Sequence, residues 1–323
     1  MSPNDDVTRV GFGAVIPRYG VEYSDAREQA LRNEKLGFDS IWLTDHLQPP
    51  GIDGPVLETW TLLTALAMET ERIRLGTMTI CYSYRHPSVL AKMASTLDRI
   101  SNGRLILAIG TGANSQVDEN QALGIPYPRA PIRIEQLKEY VQVIKRLWGE
   151  GIADFHGKYY TLDGAKKNSP VLQKPTIPVW IGVRGPKMLR AVAEMGDSWN
   201  YHGHSAEEYA EATSIVNSRC RELGRQENSL QSSVYGGIAI AKSEEELQEG
   251  IRKAASQRKI PEKDFFRKSY TVIYGTPAQC IERVEKLIKL GSSYFIFRDF
   301  DVKGSNIALF GKEVLPHFQD NQI

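Results

Sequence analysis

The chain has 323 residues, 41% of them hydrophobic and 24% charged, and its 40 Lys and Arg against 39 Asp and Glu leave a formal net charge of +1. This composition excludes a disordered chain, a collagen-like repeat and a small disulfide scaffold, and the length suffices to bury a large core. The even charge balance gives no global electrostatic reason to expect a nucleic acid or an anionic membrane as partner.

Short β-rich runs alternate with longer helical patterns, which predicts a parallel sheet with crossover helices. Residues 10–15 read as the first strand. Ser24 is placed to cap a helix running through Ala30 and Leu31 to Lys35, and Gly37 supplies a left-handed stop before the second strand at 40–43. A helix near 59–68, a strand at 73–80, a helix from about 87 to 100 and a strand at 105–109 follow, then a long helix at 131–148. After an insertion at 149–176 come a strand at 179–181, a helix at 186–195, a strand at 197–201 and a helix within 206–223. The last units are a strand at 234–241, a helix from Glu244, a basic stretch to Lys268, a helix at 277–290 and a strand at 294–297.

Eight strands separated by helices in a chain of this length predict a (β/α)8 TIM barrel, one domain over residues 1–323, better than an open doubly wound sheet. Function then belongs at the C-terminal strand ends. Residues 153–162, inserted between strands four and five, alternate aromatic and polar side chains around a glycine and read as a hairpin laid over that mouth. Cys81, Cys220 and Cys280 are odd in number and far apart, as suits reduced thiols rather than a metal or redox pair. The acidic start, Met1 to Asp6, leads into no apolar core, and no uncharged apolar run approaches membrane-spanning length, so a cytoplasmic protein without a membrane partner is expected.

Four strand ends carry side chains suited to chemistry. Thr44-Asp45-His46 sets a carboxylate beside an imidazole, which suits acid–base work but equally a capping Asp beside a hydrogen-bonded His. Residues 77–87 after strand three are crowded with polar and aromatic groups, fit to line a flat ligand or simply to cover the rim before Pro87 opens a helix. Gly110-Thr111-Gly112 lacks the third glycine of a dinucleotide fingerprint, leaving a turn whose backbone can approach a ligand closely. Gly182-Val183-Arg184-Gly185-Pro186 offers exposed amides at a helix start, which would hold a phosphate; a plain turn with a solvated Arg is the competing account. His202 and His204 with Asp197 suggest a metal only thinly, since a catalytic zinc site normally takes three protein ligands. Lys242, Arg298 and Asp299 read as solvated rim charges.

Taken in order, these segments resemble the bacterial-luciferase-like superfamily of flavin- and deazaflavin-dependent oxidoreductases. The resemblance is carried by residues 37–46, by Arg74-Leu75-Gly76-Thr77 with Tyr84-Arg85-His86-Pro87, by residues 100–105 with Gly110-Thr111-Gly112, and by residues 178–182 with Gly196-Asp197-Ser198-Trp199-Asn200. Within that superfamily the chain is most similar to the branch that uses coenzyme F420 for hydride transfer, with FMN as the alternative cofactor. The resemblance implies a ring lying across the strand mouths and a non-proline cis peptide at Met78–Thr79. Its implied cofactor contacts are Asp45, His46, Met78, Thr79, Gly110, Thr111, Gly112, Gly182, Val183, Arg184 and Gly185. It also implies a homodimer acting on a small-molecule substrate, His46 as proton donor or acceptor, and Asp45 orienting the imidazole or bonding to the ring. Tyr19, Tyr82 and Tyr84 contribute hydroxyls or pack on the substrate.

Two departures bear on the reaction. Sugar-phosphate dehydrogenases of the branch carry a Glu where this chain has Ala113, and methylene-tetrahydromethanopterin reductases carry a Glu in the first strand where this chain has Ala14. Neither substrate is inherited by resemblance. An oxygen-using FMN monooxygenase and a cofactor-binding barrel without turnover therefore stand as rivals to an F420-dependent hydride-transfer enzyme, and a metal-dependent hydrolase resting on His202 and His204 stands behind them.

Overall fold

The computed structural model describes residues 9–49, 51–52, 54–112, 116–168, 170–203 and 205–320. In chain order the elements are β1 (Gly11–Val15), α1 (Tyr23–Lys35), β2 (Ser40–Leu43), α2 (Thr59–Glu69), β3 (Arg74–Thr77), β4 (Ile80–Cys81), α3 (Pro87–Ile100) and β5 (Leu105–Gly110). Next come α4 (Val117–Ala122), α5 (Ala130–Leu147), β6 (Ile152–His156), β7 (Thr161–Lys166), β8 (Val179–Val183), α6 (Pro186–Met195), β9 (Ser198–His202) and α7 (Ala206–Glu222). The chain ends with β10 (Gln231–Ile240), α8 (Glu244–Gln257), α9 (Phe265–Lys268), β11 (Thr271–Gly275), α10 (Pro277–Lys289), β12 (Tyr294–Asp299), α11 (Ser305–Glu313) and α12 (Leu315–Asp320).

Eight parallel strands close a ring in the order β1, β2, β3, β5, β8, β9, β10, β12 and back to β1. The predicted (β/α)8 barrel is therefore present. Alternation along each strand sorts its side chains. Phe12 and Ala14 of β1 face the helices, as do Phe295 and Phe297 of β12, while Val15, Trp42, Trp180, Tyr294 and Ile296 fill the interior. The two tryptophans lie 5.3 Å apart, and Tyr294 meets Trp180 edge-on at 5.1 Å. Their polar ends are satisfied inside: Trp42 Nε1 donates to Ser40 Oγ at 2.6 Å, and that hydroxyl is 2.7 Å from Tyr294 Oη.

Such bulk fits only because the facing positions are bare. A Cβ on Gly76 would lie 2.2 Å from Trp42, and one on Gly11 would lie 2.2 Å from Tyr294. The N-terminal half of the barrel is thus plugged.

Four expectations change. Helix α1 opens at Tyr23 with Glu22, not Ser24, as its N-cap. The third strand does not run unbroken over 73–80; it stops at Thr77, crosses a cis peptide at Met78–Thr79 and resumes as β4. Thr77 Oγ1 spans the interruption, donating to Ala108 O at 2.7 Å and accepting from Ala108 N at 2.9 Å. The inserted hairpin, β6 and β7, forms, but it packs Ala153 and Leu162 on Val143 of α5 rather than lying over the mouth, and Glu139 accepts backbone amides from its tip at Lys158 and Tyr159. The basic stretch to Lys268 is followed by β11, which pairs with the upper part of β10 beyond the residues that pair with β9. Among the described residues no helix is long and apolar enough to cross a membrane.

Candidate functional site

The β2 loop carries the first expected pair. Asp45 is 2% exposed, and both its oxygens are taken: Arg85 bridges them at 2.8 and 3.2 Å, and the Cys81 amide adds a bond at 3.0 Å. Arg85 also pairs with Glu58, the residue that caps α2. Asp45 is therefore not the group that orients the imidazole, nor is its carboxylate open to a ring. It fastens the β2 loop to the segment after β4.

His46 is held by a residue that sequence reasoning missed. Its Nδ1 lies 2.7 Å from Oε2 of Glu119, on α4, and the Glu119 side chain is 1% exposed while the His46 ring is 26% exposed. The other Glu119 oxygen accepts the amides of Leu47 and Gln48, the latter at 2.8 Å. Burial opposes the charge on Glu119, but these amides and the imidazole outweigh it and hold the carboxyl below its ordinary value. Asn120, the next residue of α4, accepts from Ser83 at 3.2 Å. Gln116 donates to Tyr84 Oη at 3.1 Å and to Asp45 O at 3.3 Å. So α4 is a strap tying the β2 loop to the β4 loop.

Across the mouth, Thr79 nests on two glycines. A Cβ on Gly110 would lie 2.5 Å from Thr79 Oγ1, and one on Gly182 would lie 2.7 Å from its Cγ2. These glycines, expected as ligand-approach points, are first of all what lets Thr79 stand at the rim. Gly112 has φ +77°, and a Cβ there would meet the Tyr127 hydroxyl at 2.4 Å. Tyr127 donates to Thr111 O at 3.3 Å, and burial pushes its phenol up to about 12. Met78 is buried in the interior cluster beneath.

The segment 182–185 ends at Gly185, with φ +79°, and α6 begins at Pro186 with this glycine at its N-cap, a residue that has no side chain to cap the first-turn amides. Arg184 is exposed, donates to Tyr270 Oη at 2.5 Å and lies with its guanidinium 4.9 Å from that ring. The His202 ring lies between Tyr270, 4.3 Å away and tilted by 41°, and Tyr235, 4.9 Å away and tilted by 55°. The arrangement is an aromatic wall beside a helix start without a side-chain cap, fit for an anionic tail next to a flat ring.

Other expected roles fall away from the mouth. Asp197 sits just before β9, at the end opposite His202, where it pairs with Lys145 at 2.6 Å and accepts the Val179 amide at 3.0 Å. His204 and residues 113–115, with Ala113, lie outside the described residues. Among the described residues no group of three His, Cys, Asp or Glu could hold a metal. Ala14 faces the helix layer, so the acid missing there is not missing from the mouth. Tyr82 is buried, with its hydroxyl on Gln136 at 2.6 Å, whereas Tyr19 pairs with Thr44 at 2.6 Å beside the β2 loop. Asp299, expected as a solvated rim charge, instead accepts from Asn306 at 2.6 Å and from the Ile307 amide at 2.9 Å, fixing the start of α11.

A profile described as luciferase-like monooxygenase matches residues 10–268. The F420-dependent glucose-6-phosphate dehydrogenase of Microbacterium testaceum is 26% identical over 338 residues, covering 96% of this chain and 97% of its own. The 5,10-methylenetetrahydromethanopterin reductase of Archaeoglobus fulgidus is 24% identical over 322 residues, covering 88% and 92%. Among solved structures, an F420-dependent secondary alcohol dehydrogenase in complex with an F420-acetone adduct has a TM-score of 0.81 at 21% identity, covering 95% of this chain and 98% of its own. The EDTA monooxygenase of Chelativorans sp. BNC1 also has a TM-score of 0.81, at 17% identity, covering 97% and 94%. At such identities the structural likenesses speak for the fold.

Proposed function

The chain belongs to the luciferase-like monooxygenase family, and from that premise we propose that it is an oxidoreductase, working as one barrel domain, that moves hydride between coenzyme F420 and a small organic substrate. The observation that carries the cofactor is that relatives named F420-dependent glucose-6-phosphate dehydrogenases, of Microbacterium testaceum and Nakamurella multipartita, each align over 96% of this chain. The site fits such a group: Thr79 stands on bare Gly110 and Gly182, and the uncapped first turn of α6 offers amides to a phosphate.

A deazaflavin carries carbon in place of flavin N5, so when bound it supplies hydride chemistry and reacts poorly with oxygen. The chain's own residues do the rest. Met78, Thr79 and Gly110 to Gly112 would border the ring, and Gly182, Val183, Arg184 and Gly185 would hold its phosphate-bearing tail. The plugged interior beneath Met78 keeps water from the lower side. His46, whose ring is partly exposed while its Nδ1 is engaged, takes or gives the proton that accompanies hydride when a carbinol and a carbonyl interconvert.

Titrating the purified protein with oxidised F420 and, separately, with FMN tests the reading through ring absorbance and fluorescence. Micromolar or tighter F420 binding with little for FMN is expected. Preference for FMN with oxygen uptake on turnover would replace the reading with a monooxygenase; tight F420 binding without turnover across a broad substrate panel would leave a binding protein.

A further inference from the structure

We propose that Glu119 is a positioning residue that fixes the tautomer of His46, keeping the proton on Nδ1 and leaving Nε2 as the bare, basic nitrogen. The inference rests on the reading of His46 as the proton-handling group, but its geometry stands apart from any cofactor. Glu119 Oε2 is 2.7 Å from His46 Nδ1, and a carboxylate only accepts, so a neutral ring must present N–H at Nδ1. The carboxylate cannot swing away, because its other oxygen is held by two consecutive backbone amides, of Leu47 and Gln48. Its side chain is 1% exposed, so water does not compete for the imidazole.

The backbone around the ring is fixed from the other side as well. Arg18 donates to the His46 carbonyl, to Leu57 O at 2.5 Å and to Tyr19 Oη at 3.0 Å. The loop is thereby held by a buried cation at its carbonyl and a buried anion at its amides. With Nδ1 committed to Glu119, the edge of the ring left for a reacting group is the one carrying Nε2. A ring protonated on Nε2 has its basic nitrogen turned towards Glu119 and cannot accept a proton at the other edge, which is why such an orienting partner matters for rate.

Glu119→Gln is the informative variant because it is isosteric and keeps α4 strapped. The two amide donors of Leu47 and Gln48 select the carbonyl oxygen of the introduced carboxamide for their side, which turns its NH2 towards Nδ1. The ring must then accept there and carry its proton on Nε2. Nitrogen-15 spectra of histidine-labelled protein without cofactor, followed upwards in pH until they no longer change, read this directly. Wild type is expected to show a protonated Nδ1 and a bare Nε2 for His46, and Glu119→Gln the reverse, with kcat for hydride transfer falling by about 10² or more while F420 still binds. An Nε2–H ring in the wild type, or the same tautomer in both proteins, overturns the proposal. So does a Glu119→Gln enzyme of swapped tautomer and undiminished kcat. Wild-type protein that shows the Nδ1–H ring yet binds no F420 would instead sink the reading of the cofactor and leave the Glu119–His46 geometry standing.

Discussion

Asp45 illustrates how a residue beside the chemistry can be structural. Its carboxylate is wholly committed to Arg85 and the Cys81 amide, so Asp45→Asn removes one half of an ion pair from a buried setting. Breaking such a pair by removing one partner costs on the order of 3 kcal/mol, less here because Glu58 also holds Arg85. Asp45→Asn should therefore lower the midpoint of chemical denaturation, and the residual activity should fall in step with the folded fraction; a fully stable but inactive variant would restore a catalytic role. Glu119 gives a second, pH-resolved expectation. Its carboxyl is held below the ordinary 4.5, so the unfolded chain binds its proton more readily than the folded one. The stability it contributes is present above the unfolded value and is lost as pH falls through the folded value. Denaturation of wild type and Glu119→Gln should accordingly differ most at neutral pH and converge as pH drops below about 4.5. A gap that stays constant with pH would contradict the assignment. None of this was readable from Asp45-His46 as a dipeptide, because Glu119 lies 73 positions away on a six-residue helix with no periodic pattern to announce it.

At the scale of elements, two glycines of different strands separate floor from rim. Gly76→Ala places a Cβ 2.2 Å from Trp42 in the plugged half of the barrel, and Gly182→Ala places one 2.7 Å from Thr79 at the mouth. Overpacking a filled interior costs about 1–3 kcal/mol, so Gly76→Ala should unfold at a markedly lower temperature. Gly182→Ala has a single threonine to displace, so it should lose about tenfold in F420 affinity with a smaller change in melting temperature. The reverse pattern, with cofactor affinity lost in Gly76→Ala alone, would move the ring into the interior. Strands and helices with strong periodicity were legible from sequence: α3 at Pro87–Ile100 and α6 at Pro186–Met195 match the expected bounds. Elements whose partners are remote were not. The five residues of β11 follow a run of cations and pair only with the upper end of β10, where β9 has already left the ladder. The terminal helices α11 and α12 are specified by Phe310 and Phe318 packing on Phe12 of β1, nearly the whole chain length away.

For the whole molecule, a net charge of +1 supplies no long-range field to gather a phosphate-bearing coenzyme, so any anion selectivity has to be local. The ring order of the barrel sets the distance over which this acts. His46 follows β2, Thr79 sits between β3 and β4, and Gly182 to Gly185 close β8, so the mouth has an imidazole pole and a glycine-rich pole with a threonine between them. A ligand bridging the poles should separate into two energetic parts. Arg184→Glu sets a like charge beside the first turn of α6 without touching the His46 side, so F420 affinity should fall by tenfold or more while the deazaflavin riboside, which lacks the phosphate and tail, binds as before. Raising the salt concentration should likewise weaken F420 more than the riboside in the wild type, since an exposed cation is screened over roughly 10 Å at 0.1 M. Arg184 also holds Tyr270, whose ring lies against His202, and Arg184→Lys, keeping the charge but losing the guanidinium bond, distinguishes the two roles. Equal loss of F420 and riboside in both variants would mean that Arg184 serves the aromatic wall rather than the phosphate, and no loss in Arg184→Glu would send the tail to another strand end.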